Sequence, residues 1–391
     1  MKKALTLNIV LLGLVSLLTD ASTELMAPVL PLFIVSLGGG GLALGLIGGL
    51  GDGASSLIRL ASGYLSDKLG RRKPLVAAGY LTSSASKLLM AFSPSWVHVL
   101  GLRVAERAGK GIRTPPRDAL IAESAVESQS GRAFGLHRSL DTAGAVVGSL
   151  AAFLLVSVAG LGFREVILLS GVVAFIALLP LIPVKDVRRK PLKEKFASAM
   201  VSLPRRFKLL VPVTSLFAAG NVSYMFLLLR ASGAFVGWLT VAAPLLLYIL
   251  FNSVYAVLSY PMGALADRAG KVKVLASGYL LMSLVFALLY PSLSLPLVVA
   301  AFVVYGVSYA MIEGVERALV ADACGELKGS GLGLYHASVG VAAIAGNLAA
   351  GLIWDYVGPA YLFIYASSLT LLSALLLAAW GASSSLKAPG S

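Results

Sequence analysis

Ionisable side chains recur inside long apolar runs of this chain, at spacings that put them on common helical faces. Arg103, Glu106, Arg107, Lys110 and Arg113 follow one another every three or four residues, so a helix carries them as a single charged stripe. A row of cations so placed could hold an anionic solute, or could pair with carboxylates in a network switched by protons. Ser16, Asp20, Thr23 and Glu24 share a face in the same way. Asp20 and Glu24 could exchange a proton or a cation for a solute. Asp52 and Arg59, seven residues apart, also lie on one face, where Asp52 could meet the cations of 103–113. The plain alternative for all of these is ion pairs that merely hold helices together. Arg107, the innermost cation, is the strongest single candidate for a solute or proton site. The C-terminal part is less charged. It offers Asn221, Ser223, Tyr224 and Arg230 in one run, and Tyr305, Tyr309, Glu313 and Glu316 in another. This asymmetry suggests that the first half handles protons while the second shapes solute recognition.

The elements that position these residues must be membrane helices. Of 391 residues, 58% are hydrophobic and 13% charged, and the mean hydropathy is +0.88, more apolar surface than a soluble domain of this size can hide. The apolar runs fall at 6–36, 42–66, 74–93, 97–123, 131–160, 165–183, 207–232, 236–266, 273–291, 295–322, 331–355 and 359–381. Roughly twenty apolar residues cross a bilayer, and unsatisfied backbone groups exclude any unbroken apolar span but a helix. The expected fold is therefore all-α, with twelve transmembrane helices. The net charge of +14 does not indicate nucleic acid, because the basic residues fall on alternate loops. Lys2, Lys3, Lys68, Arg71, Arg72, Lys73 and the run from Lys185 to Arg206 lie on one side, whereas the opposite loops carry only Arg164. By the positive-inside rule both termini and the 184–206 linker are cytoplasmic. The first span is too long for a signal peptide and carries Asp20 and Glu24. A single cysteine, Cys324, excludes an intramolecular disulfide, and His98, His137 and His336 lack metal spacing.

An internal repeat divides the chain. Gly63-Tyr-Leu-Ser-Asp67-Lys-Leu-Gly70-Arg71-Arg72-Lys73 returns 200 residues later as Gly263-Ala-Leu-Ala-Asp267-Arg-Ala-Gly270-Lys271-Val-Lys273. An offset of 199 aligns Arg117–Glu123 with Glu316–Asp322. The expected domains are 1–183, a linker at 184–206, and 207–391, two parallel six-helix bundles. Within the repeated loop Gly63 permits close helix approach, Gly70 a turn with positive φ, Asp67 a cap, and Arg71 and Arg72 face anionic headgroups. Such a loop could latch the two halves together.

These residues resemble the major facilitator superfamily over nearly the whole chain. The loop Gly63, Asp67, Gly70, Arg71, Arg72 matches that family's signature between its second and third helices. Arg107-Ala-Gly-Lys110-Gly111 is similar to the Arg-x-x-Gln-Gly motif of the proton-coupled drug antiporter branch, with Lys110 in the glutamine's place. The resemblance implies a secondary transporter working by alternating access, with gating roles for the loop residues and for Gly263, Asp267 and Gly270. Its solute could be drug-like or anionic, exported against protons; a uniporter or symporter of an organic anion or metal complex is the alternative. Protons, membrane lipids and a small molecule are the expected partners, with a monomeric chain, no cofactor, no metal and no nucleic acid. Two further readings are a membrane-embedded enzyme, for which only His137 with Asp141 comes near a site, and a transporter-like receptor. His137, Arg138 and Asp141 are placed at the cytoplasmic start of the fifth span, in a topological or gating role. Thr114-Pro115-Pro116 is expected to interrupt the fourth span, as Pro28 and Pro31 bend the first.

Overall fold

A computed structural model describes residues 2–124, 130–186, 204–290, 294–324 and 328–385, while the side chains of 2–6, Asp67, 130–135, 328–330 and 383–385 lie outside the described set. Most of the 184–206 linker and the side chain of Asp67 are thus not covered. The described residues are helical: α1 (Lys2–Met26), α2 (Leu30–Ser36), α3 (Gly41–Leu69), α4 (Lys73–Met90), α5 (Trp96–Ser124), α6 (Ser130–Phe153), α7 (Phe163–Ile176), α8 (Arg205–Gly220), α9 (Tyr224–Ser232), α10 (Leu239–Ala269), α11 (Lys271–Leu289), α12 (Leu295–Ala323), α13 (Lys328–Tyr356) and α14 (Pro359–Ser385). A π-helical turn, Leu154–Val158, extends α6.

Among the described residues ten helical segments are long and apolar enough to cross a bilayer. Two helices that the sequence places among the spans, α4 and α5, are not in that set. Their composition gives the reason: α4 carries Ser83, Ser84, Ser86 and Lys87, and α5 carries the charged stripe.

By contacts the chain divides into two units. One comprises residues 1–39, 50–194 and 244–246; the other comprises 40–49, 195–243 and 247–391. In the first unit α1 packs on α6 and α7, and α4 packs on α5 and α7. In the second, α8 packs on α13 and α14, and α11 packs on α12 and α14. The same pairing order thus recurs in each unit. Small residues make the tightest seams: a Cβ at Gly148 on α6 would strike the carbonyl of Ala21 on α1, and one at Gly346 on α13 would strike that of Ala219 on α8.

The first helix of each unit is broken. Pro28 and Pro31 mark the gap between α1 and α2, and Asn221, Val222 and Ser223 separate α8 from α9. The expected interruption at Thr114-Pro115-Pro116 is absent, because α5 runs unbroken from Trp96 to Ser124. Pro116 deprives the Ile112 carbonyl of its helical donor, and the Ser62 hydroxyl of α3 donates to that oxygen instead.

Candidate functional site

In the first unit each cation of α5 but one has a partner of its own. Arg103 is 1% exposed and its Nη1 donates to Glu106 Oε2 at 3.0 Å, a pair sealed from solvent on both sides. Arg113, also buried, donates from Nη1 to Ser83 Oγ at 2.7 Å and lies 4.4 Å over the Tyr80 ring. Arg107 Nε reaches Asp52 Oδ1 at 3.4 Å and Glu106 Oε2 at 3.7 Å. Here the setting differs, since the Asp52 side chain is 61% exposed and that of Arg107 14%. Arg103 and Glu106 therefore sit in the packed interior, whereas the Arg107–Asp52 pair reaches the surface through Asp52. Lys110 is half-buried, and its ammonium makes no hydrogen bond and no ion pair among the described residues. Asp20 and Glu24 are likewise half-buried on α1.

Two further residues join this cluster: Asp141, which the sequence places in a topological or gating role, and Lys87, which it does not single out. Asp141 of α6 accepts a hydrogen bond from Ser16 Oγ at 2.5 Å, and its carboxyl neighbours that of Asp20, one turn further along α1. Arg138 Nη1 reaches the other Asp141 oxygen at 2.9 Å. Asp141 thus belongs to the α1–α6 seam and not only to the start of a span. Lys87 of α4 is fully buried and donates from Nζ to Ser22 Oγ at 3.0 Å and Thr23 Oγ1 at 2.7 Å. A lysine inside an apolar run costs about 2.5–3.5 kcal/mol without compensation, which was the available signal.

The repeated loop differs in detail from its expected role. Gly70 and Gly270 turn the chain at φ 61° and 97°, in the left-handed region that glycine tolerates. Gly63, however, meets only Pro115 Cβ at an ordinary 3.6 Å, and Gly263 faces open space, so neither marks a close helix approach. Arg71 is exposed, but Arg72 turns inward, 5% exposed, donating to Ser66 and pairing with Glu123 at 3.3 Å. It therefore does not face headgroups. The amides of Arg72 and Lys73 both donate to Asp186 Oδ1 at 3.0 Å, which caps α4. Asp267 is exposed, and Lys271 bonds Asp322 at 2.6 Å.

In the second unit aromatic rings replace most of the charge. Tyr309 of α12 packs edge-on against Tyr305 (4.9 Å), Phe251 (5.4 Å) and Tyr255 (6.2 Å), and Tyr224 lies 5.5 Å from Tyr248. Glu313, half-buried, accepts from Tyr255 Oη and pairs with Arg317. One turn away Glu316 is buried and accepts from Tyr279 Oη at 2.9 Å and Tyr335 Oη at 2.6 Å. Asn221 caps the end of α8, and its neighbour Ser223 donates its amide to Asn347 Oδ1 at 2.8 Å. Asn347 had no sequence signal beyond being a polar residue in an apolar run.

Helices of this length and apolarity, with ionisable groups gathered inside each packed unit, define a multi-pass α-helical membrane protein. The family model of the Major Facilitator Superfamily matches residues 12–241 and 209–389. The chain belongs to that superfamily of transporters. It is 39% identical to an uncharacterized MFS-type transporter of Methanocaldococcus jannaschii, MJ1317, over 96% of this chain and 95% of the relative. It is 26% identical to the multidrug resistance protein MdtH of Aeromonas hydrophila, over 88% and 87%. Among solved structures, the nucleoside transporter NupG (D323A mutant) superposes with a TM-score of 0.80 at 14% identity, covering 95% of this chain and 99% of that one, a likeness of fold alone.

Proposed function

We propose that the chain is a secondary active transporter that exports a small drug-like or anionic solute by alternating access, driven by protons. One observation carries the proton part: the carboxyls of Asp20 and Asp141 meet in the seam between α1 and α6. Two neighbouring carboxyls disfavour joint ionisation, so the gain or loss of a proton changes how the two sit together. Asp20 is the proton-exchanging residue, Asp141 its counterpart, and Glu24 a second carboxylate on the same helix. The ion pair of Asp52 on α3, which is exposed, with Arg107 on α5, which is mostly buried, contributes the solute-facing end. Asn221, Tyr224, Tyr309 and Glu313 supply recognition in the second unit. Arg103, Glu106 and Arg113 act as the rigid frame of α5, which their burial supports. Export is one way to confer the multidrug resistance for which the MdtH relative is named. The repeated loops at 63–72 and 263–270 serve as gating turns in a monomer of twelve spans, with both termini cytoplasmic on the charge bias.

The test is transport in proteoliposomes with an imposed pH gradient, using ethidium and carboxyfluorescein as cationic and anionic solutes. Gradient-dependent accumulation of either supports the reading. Fluxes equal with and without the gradient would refute proton coupling.

A further inference from the structure

The fourth-span helix leaves one cation unexplained. Lys110 is the middle residue of the 29-residue α5. On either side of it the helix is locked against its neighbours. A Cβ at Gly109 would lie 2.6 Å from the Gly79 carbonyl of α4, and one at Gly111 would lie 2.8 Å from the Ser55 carbonyl of α3. Successive residues turn by about 100°, so Lys110 projects between these two packed faces and cannot swing away by helix rotation. The other α5 cations have acceptors or a ring: Glu106 for Arg103, Asp52 for Arg107, Ser83 and Tyr80 for Arg113. Lys110 has none among the described residues. The charged groups acting on it are Arg107, Asp20, Arg59 and Arg113, three cations and one carboxyl, and that carboxyl is turned to Asp141. An ammonium at mid-helix, with three cations and one carboxyl as its charged neighbours and only part of its surface accessible, calls for an anion from outside the chain.

We infer that Lys110 is the solute-facing cation of an anion-binding site on α5, and that the transported solute carries a carboxylate or phosphate group. This rests on the transport reading and narrows its solute class from drug-like or anionic to anionic. Asp52 pairs with Arg107, and an arriving anion would draw on the same arginine.

The experiment uses the full-length protein in phosphatidylcholine nanodiscs at constant ionic strength, with benzoate, inorganic phosphate and uncharged benzamide as probes, for the wild type, Lys110→Gln and Lys110→Arg. Benzoate or phosphate is expected to raise the wild-type Tm by about 2 °C or more over benzamide. Lys110→Gln is expected to lose that increment and Lys110→Arg to keep most of it, a rescue that a purely structural lysine would not show. No anion effect in the wild type, or an undiminished effect in Lys110→Gln, overturns the inference. A parallel arm adds phosphatidylglycerol. Stabilisation by that lipid alone, lost in Lys110→Gln and without response to benzoate or phosphate, would assign the ammonium to a lipid headgroup and also overturn it. Gradient-driven flux of ethidium or carboxyfluorescein in wild-type proteoliposomes separates the two levels: flux of either leaves the transport reading standing when the anion site fails, and the absence of both strikes the transport reading itself.

Discussion

The helices α5 and α12 occupy equivalent places in the repeat yet solve the same problem with opposite chemistry. At the 199-residue offset, Arg103, Glu106, Lys110 and Arg113 face Phe302, Tyr305, Tyr309 and Ile312. Each helix packs on the helix that precedes it in its unit, α4 or α11. The first fills its buried face with charges that must find partners; the second fills it with rings that need none. Where α12 does bury a carboxylate, Glu316, two tyrosine hydroxyls hold it without a cation in the bond. The lesson is that a repeated scaffold tolerates either filling, and that the charged version carries the greater penalty for any change, because each partner removed strands a charge in a dry place.

That contrast can be broken directly. Glu106→Gln strands the Arg103 guanidinium and is expected to cost about 3 kcal/mol or more, read as lost yield and lowered Tm. Glu316→Gln leaves its tyrosines an amide oxygen and is expected to cost about 1 kcal/mol, so equal losses in the two variants would erase the distinction. Next in size, Asp20→Asn and Asp141→Asn are each expected to lower gradient-driven flux about tenfold or more, with the double variant no worse than either, since both remove one shared unit. Additive losses would place the two carboxyls in separate roles. In the second unit Tyr309→Ala is expected to weaken an aromatic anion such as carboxyfluorescein by about 1 kcal/mol, roughly fivefold in KM, through lost ring contacts. The smallest effect belongs to Ser62→Ala, which leaves the Ile112 carbonyl without its substitute donor; about 1 kcal/mol or less is expected in Tm, with α5 still continuous.

Much of the frame was legible because it depends on local chemistry. Pro28 and Pro31 end α1 through a missing amide and a fixed φ, Gly70 and Gly270 adopt the turn that only their backbone tolerates easily, and seven-residue spacing brought Asp52 to the face that meets Arg107. What escaped depends on partners distant in sequence. Pro115 and Pro116 read as a break until Ser62, some fifty residues away, supplies the missing donor. Arg72 reads as a headgroup ligand until Glu123 turns it inward. Asp141 reads as interfacial until Ser16 and Asp20 of α1 meet it, and Lys87 goes unnoticed until two hydroxyls of α1 accept its hydrogen bonds. Gly63 was expected to carry a close approach that the chain places instead at Gly148 and Gly346.

The most direct measurement records proton and solute movement together, with pyranine sealed inside proteoliposomes and carboxyfluorescein or ethidium as the solute. Solute flux accompanied by a proportional change in internal pH for the wild type, with both absent in Asp20→Asn, is the expected result. Solute flux that proceeds at the wild-type rate in Asp20→Asn, or without any accompanying proton movement, would contradict the account.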